Sequence, residues 1–251
     1  MMFDSHAHLC DHKFDEDREA VLRKMKDEGV TGFMEIGVSE ETSNDALRLA
    51  EAIDGVYAAV GYHPDAASEA DPEILKSLLR NPKAYAIGEI GLDYYYEDPP
   101  REIQQKAFRM QMQIAEETGY PVIIHDRDAH GDTLQILSEH PSVIGVMHSY
   151  SGSAEMAKTL LKMGWYISFS GVVTFKNARQ SVEVAAMVPD DRILAETDSP
   201  YLTPVPFRGH RNDSGYMKYT IEKLAEIRGT TFEHIERITE ENARTLFRLP
   251  R

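Results

Sequence analysis

Cysteine is nearly absent: Cys10 is the one thiol in 251 residues. A lone cysteine forms no intrachain disulfide and fits a reducing compartment. Cations are also scarce, since Lys+Arg 27 against Asp+Glu 42 leaves a net charge of −15 with histidine neutral. Such a chain does not wrap duplex phosphates by bulk charge, which needs a basic face. No apolar stretch approaches the roughly 18 residues a membrane helix needs. The N-terminus MMFDSHAHLCDHKFDEDR reaches acids and histidines at once, so no secretory signal is expected and a cytoplasmic, membrane-free location is. Low-complexity segments, close repeats and Gly/Ser/Pro-rich linkers are missing. At 42% hydrophobic and 27% charged residues, the remaining composition is that of a folded domain with its own core.

A rhythm is present. Short apolar runs rich in β-branched residues, at 2–6, 30–36, 56–61, 85–90, 122–125, 143–148, 165–168 and 193–196, alternate with longer amphipathic stretches. The helical patterns fall at 15–28, 40–53, 72–79, 99–117, 129–139, 154–163, 178–187 and 216–227, and a last one at 232–247 follows the eighth unit. In the 99–117 stretch Ile103, Ala107, Met110 and Ile114 make one stripe, opened by Pro99-Pro100 and closed by Gly119. Strands separated by helix-length segments must run parallel. Eight such units in one chain predict an α/β fold: a (β/α)8 TIM barrel forming a single domain over 1–251, with an extra C-terminal helix. A doubly wound open sheet is the runner-up, but the Gly-rich phosphate turn it usually carries is missing.

Five of the apolar runs end in side chains that bind metals. The first ends in His6 and His8, two residues apart and so on one face. The fourth ends at Glu89, the fifth at His125, the sixth at His148, and the eighth leads to Asp198. In a barrel all these tips ring one mouth. A lone histidine or acid at a strand end is usually structural; six at equivalent ends are not scattered so by chance. Four imidazoles and two carboxylates exceed the needs of one hydrolytic ion with an open position for water. Two divalent ions (Mg, Mn or Zn) sharing a carboxylate are the economical solution, with Glu89 best placed to bridge and a water activated between the ions.

The segments DSHAHL, GYHP, GEIGLDYYY, PVIIHDRDA, HSYSG and ETDSPYL resemble the TatD family of metal-dependent deoxyribonucleases, barrel enzymes of the amidohydrolase superfamily. The likeness runs from Phe3 to the TEENARTLF segment at 239–247. It implies that His6, His8, Glu89 and Asp198 hold one ion, and that Glu89, His125 and His148 hold the second. Two departures stand out. The family commonly has Cys-Phe after the sixth-strand histidine, where this chain has Ser149-Tyr150. The loop after strand eight usually reads RGKRNEP, where this chain has RGHRNDS at 208–214.

The expected activity is therefore phosphodiester hydrolysis, with Asp198 as general base and Glu89 between the ions. His63, in GYHP, is expected to contact the phosphate or protonate the leaving oxygen; the bland alternative is a histidine that shapes its loop. Arg208 and Arg211 are candidate phosphate contacts, and Tyr94 a candidate base contact, although Tyr94, Tyr95 and Tyr96 cannot all face one way. Tyr201 is ambiguous in the same manner. Asp93 reads as a supporting carboxylate rather than a ligand. The acidic net charge favours engagement of ends over duplex, so the expected substrate is single-stranded DNA or another nucleic-acid end, cut as a 3'-5' exonuclease, with no obligate protein partner. Two rivals remain. The same two-ion site could hydrolyse an ester or amide, as in a D-aminoacyl-tRNA deacylase or a lactonase. From another class, the fold could be a scaffold with a structural metal.

Overall fold

The computed structural model describes residues 1–250. Eight parallel strands follow one another around a single sheet: β1 (Met2–Ala7), β2 (Val30–Ile36), β3 (Val56–Val60), β4 (Ala84–Asp93), β5 (Val122–Arg127), β6 (Gly145–Met147), β7 (Tyr166–Phe169) and β8 (Ile193–Ala195). The ring is shut by a bridge between Ala7 and Ser199, just past β8. This is a TIM barrel. The helices between the strands are α1 (Arg18–Asp27), α2 (Glu40–Ala52), α3 (Pro72–Leu78), α4 (Arg101–Thr118), α5 (His130–Glu139), α6 (Ala154–Lys162) and α7 (Arg179–Met187), with α8 (Met217–Arg228) and α9 (Phe232–Phe247) after β8. All eight expected strands and the extra helix form. No helix among the described residues is long and apolar enough to cross a membrane.

Local chemistry sets the ends. Ser39 and Thr42 form a reciprocal capping box at the start of α2. α4 begins only after Pro100, which caps it in an extended conformation, and it stops at Gly119 with φ 74°. α1 starts later than the pattern at 15–28 suggests: a 3-10 turn at His12–Phe14 runs into a further turn over residues 15–17, and the helix begins at Arg18.

The core has two layers. One lies between the strands and the surrounding helices. The other fills the barrel: Phe3, Met34, Ala59, Ala86, Ile123, Val146, Tyr166 and Leu194, one from each strand, meet Ala243, Leu246 and Phe247 of α9, which plugs the end opposite the mouth. Burial at roughly 25 cal/mol per Å² of apolar surface makes such a plug a large contribution.

Candidate metal centre

Two irregularities in the sheet decide where the site points. In β4, Ala86 faces the barrel interior while Ile87 and Ile90 both face the helices. Strict alternation would make Glu89 a helix-facing residue. Between Ile87 and Ile90, however, the register with β5 slips: Ile87 pairs with Val122 and Ile90 with Ile124. The extra residue reverses the alternation and turns Glu89 inward. β1 does the same between Asp4, paired with Phe33, and Ala7, paired with Glu35, and so turns His6 inward. Glu89 thus lies within β4 rather than at its tip.

The inward groups converge. His6 Nε2 and His8 Nε2 are 3.1 Å apart. Glu89 Oε2 stands 3.4 Å from His6 Nε2 and 3.9 Å from His8 Nε2, and Asp198 Oδ1 stands 3.6 Å and 3.5 Å from the same two nitrogens. The other oxygen, Glu89 Oε1, lies 2.7 Å from His125 Nδ1 and 3.4 Å from His148 Nε2. Three sets of donor atoms lie within 4.8 Å of one another: His6, Glu89 and His148; His6, His8 and Asp198; and His63, Glu89 and His125. All six side chains expected to bind metal come together.

Supporting groups hold them. Glu196 Oε1 accepts from His148 Nδ1 at 2.8 Å and from the Ser149 amide at 2.7 Å. Asp93 Oδ2 lies 3.1 Å from His125 Nε2, in the supporting position expected of it. Glu35 accepts from the Leu9 and Cys10 amides, each at 2.8 Å, and fixes the turn after His8. Asp198 sits at φ 57°, in the left-handed region, held by the hydrogen bond its backbone N–H donates to the His6 carbonyl at 2.9 Å. The preceding Thr197 donates to buried Asp4 from both its amide (2.9 Å) and its hydroxyl (2.5 Å). Glu196 and Glu35 are the supporting residues that motif reading passes over. Their signal was an acid inside an apolar run, since a charge is buried only when something answers it.

The electrostatics describe a site built for cations. Burial opposes charge on every group here. Against it, His148 and His6 hold the Glu89 carboxyl well below the ordinary range, and His8, His148 and His6 lower Asp198. Despite burial, Asp198 and Glu89 push His8 up to about 8, Asp93 and Glu89 push His125 to about 9, and Glu196 and Glu89 push His148 to about 10. His6 moves the other way, lowered by burial and by His148. Two imidazole nitrogens 3.1 Å apart share one hydrogen bond at most, whereas a cation satisfies both together with the carboxylates. The donor set therefore fits divalent metal, with mixed imidazole and carboxylate ligands suited to Mg, Mn or Zn.

His8, Glu89, His125, His148 and Asp198 floor a cavity of about 770 Å³. Of the other expected contacts, His63 lines it, with Nδ1 2.7 Å from Asp65 Oδ1 and its ring 4.5 Å from that of His125. Tyr94 lies elsewhere: its hydroxyl donates to Asp132 at 2.7 Å, and Arg101 covers its ring at 4.3 Å. Tyr96 faces the cavity instead. Arg208 and Arg211 line a separate cavity of about 400 Å³. There Arg208 rests on Phe175 at 3.8 Å, and Arg211 is paired with Asp17 at 2.7 Å.

The model of the family described as TatD related DNase matches residues 3–248. This chain belongs to that family. A Bacillus subtilis relative named uncharacterized metal-dependent hydrolase YabD is 46% identical, covering 99% of this chain and all of that protein. A Pantoea vagans relative named 3'-5' ssDNA/RNA exonuclease TatD is 35% identical, covering 99% of this chain and all of that one. The crystal structure of YJJV, a TatD homologue from Escherichia coli, superposes with a TM-score of 0.93 at 31% identity, covering 99% of this chain and 98% of the other. The TatD-family chain described here is accordingly a metal-dependent hydrolase.

Proposed function

We propose that the chain hydrolyses phosphodiester bonds at the ends of single-stranded nucleic acid, DNA first, as a 3'-5' exonuclease using two divalent ions. One observation carries the reading: the two oxygens of Glu89 serve two different groups of imidazoles, Oε2 toward His6 and His8 and Oε1 toward His125 and His148. His6, His8, Glu89 and Asp198 would hold one ion, and Glu89, His125 and His148 the other. Ions bound there lower the pKa of water and offset phosphate charge. Asp198, whose carboxyl is ionised at neutral pH, takes the proton of the attacking water. His63 is steadied at Nδ1 by Asp65, which leaves Nε2 to meet a phosphate oxygen or protonate the leaving oxygen. Glu196 keeps the His148 ring in its ligating orientation. The name of the Pantoea vagans relative is consistent with a nucleic-acid substrate.

The test is elemental analysis of purified protein, then assay of the metal-stripped form with Mg, Mn or Zn restored. Substrates are single-stranded DNA, duplex DNA, single-stranded RNA, an aminoacyl-tRNA and a lactone. Two ions per chain and fastest loss of single-stranded DNA from its 3' end are expected. Faster cleavage of the aminoacyl ester or lactone would move the activity to that bond, and no turnover of anything would leave a scaffold.

A further inference from the structure

Two exposed aromatic rings line the mouth of the site. Tyr96 follows β4 and is 59% exposed; Tyr201 follows β8 and is 44% exposed. In a ring ordered β1 to β8, the fourth and eighth strands stand opposite each other. The two tyrosines therefore face across the mouth, with the floor formed by Glu89, His125 and Asp198 between them. Each has a cation beside it. Lys13 Nζ lies 4.1 Å above the Tyr201 ring. Arg127 lies 3.8 Å above Tyr95 and 5.5 Å above Tyr96, whose ring meets Tyr95 edge-on at 4.9 Å. Past Tyr201 the wall continues into the cavity of about 400 Å³, where Lys13, Phe175 and Arg208 form a second cation-and-ring surface.

A base has a π face whatever its identity, so rings beside cations suit a single strand whose bases stack while its phosphates meet the cations. The bases of a duplex are already stacked on one another and cannot use such rings. Asp11, Asp15, Glu41, Asp45 and Asp65 also line the cavity, and Asp11 accepts from the Tyr201 hydroxyl at 2.8 Å, so a polyanion is held here only where Lys13, Arg127 and Arg208 stand beside the rings.

We propose that Tyr96 and Tyr201 are the platforms for the two bases on either side of the cleaved bond, and that the strand continues past Tyr201 along Lys13 and Arg208. This rests on the nuclease reading above and makes Tyr96 and Tyr201 specificity residues rather than groups in the bond-breaking step.

The experiment compares a single-stranded oligonucleotide with the same strand made abasic at the two nucleotides flanking the terminal bond. Wild-type protein, Tyr96→Ala, Tyr96→Phe, Tyr201→Ala and Tyr201→Phe are each measured for kcat/KM, for Kd by fluorescence anisotropy, and for metal content. Wild type should prefer the base-bearing strand by about a hundredfold, about tenfold for each of the two bases stacked on an aromatic. Each alanine variant should lose about tenfold of that preference, the share of its own base, while cutting the abasic strand at the wild-type rate with full metal content, and each phenylalanine variant should keep it. Equal cleavage of the two strands by wild type would overturn the platforms and leave the nuclease reading standing. Alanine variants that lose activity equally on both strands would overturn them too, as the mark of a structural role. Failure of wild type to cut or bind either strand would overturn both readings together.

Discussion

Glu196→Gln separates what a buried charge does from what a hydrogen bond does. Both donors, His148 Nδ1 and the Ser149 amide, reach the same atom, Oε1. A glutamine with its carbonyl in that place keeps both bonds and removes only the charge. A partner of this kind behind a metal-bound imidazole is worth about 10–100-fold in affinity or activity. Since the geometry survives, the lower end applies: metal binding about tenfold weaker, or about 1.4 kcal/mol. Glu196→Ala goes further. It leaves two buried donors unpaired at about 1–3 kcal/mol each, against a total domain stability of about 5–15 kcal/mol. Alanine should therefore weaken metal binding about 100-fold and lower the urea midpoint clearly, while glutamine should barely move that midpoint. The assay is calorimetric titration of metal-stripped protein with Mn at fixed pH, with urea unfolding of the same samples. A glutamine variant that binds both ions with wild-type Kd would refute the reasoning, because the charge would then do nothing for His148 as a ligand.

Three further outcomes are expected. His63→Ala should keep both ions by elemental analysis and lose about 100-fold or more in turnover, the scale of a lost proton donor or acceptor; loss of one ion would make His63 a ligand. Stripped protein should lose thermal stability as pH rises from 7 to 10, because His8, His125 and His148 titrate near 8, 9 and 10 there against about 6.5 when unfolded. Groups with raised folded pKa values stabilise fully below about 6.5 and cease to as pH passes through those values. Affinity for Mn should strengthen over the same interval as the competing protons leave, and a flat Tm in EDTA would contradict this account. Gly91→Ala should cost more than about 3 kcal/mol in urea unfolding and reduce metal content. Residue 91 has φ 141°, and a Cβ there would lie 2.0 Å from the His125 carbonyl oxygen, so a soluble variant of wild-type stability would refute the packing argument.

The fold was legible because its signals are periodic. Eight short apolar runs and the helices between them leave few architectures, and Gly119 and the Pro99-Pro100 pair mark the limits of α4 as expected. The convergence of the candidate donors was legible because His6, Glu89, His125, His148 and Asp198 follow or close apolar runs. The way two of them reach the interior was not legible. A count of alternating residues aims Glu89 and His6 at the helices, and only the register slips beside Ile90 and Ala7 reverse them. Such slips are properties of paired strands and leave no mark on one strand's sequence. The tyrosine run shows the same limit. Pattern reading allows that one of Tyr94, Tyr95 and Tyr96 faces substrate, but the choice falls to Asp132, Gln105 and Arg101, which draw Tyr94 away.

The stitch between Ala7 and Ser199 is the last join of the ring, and it lies among His6, His8 and Asp198. The first and last strands, which must find each other for the barrel to close, are the same two that bring these three candidate donors into register. A half-finished polypeptide can therefore carry most of the donors and still offer no complete nest for an ion. Metal added during refolding should be captured in the final step rather than early, and once captured it should act as a rivet, slowing the separation of the first strand from the eighth.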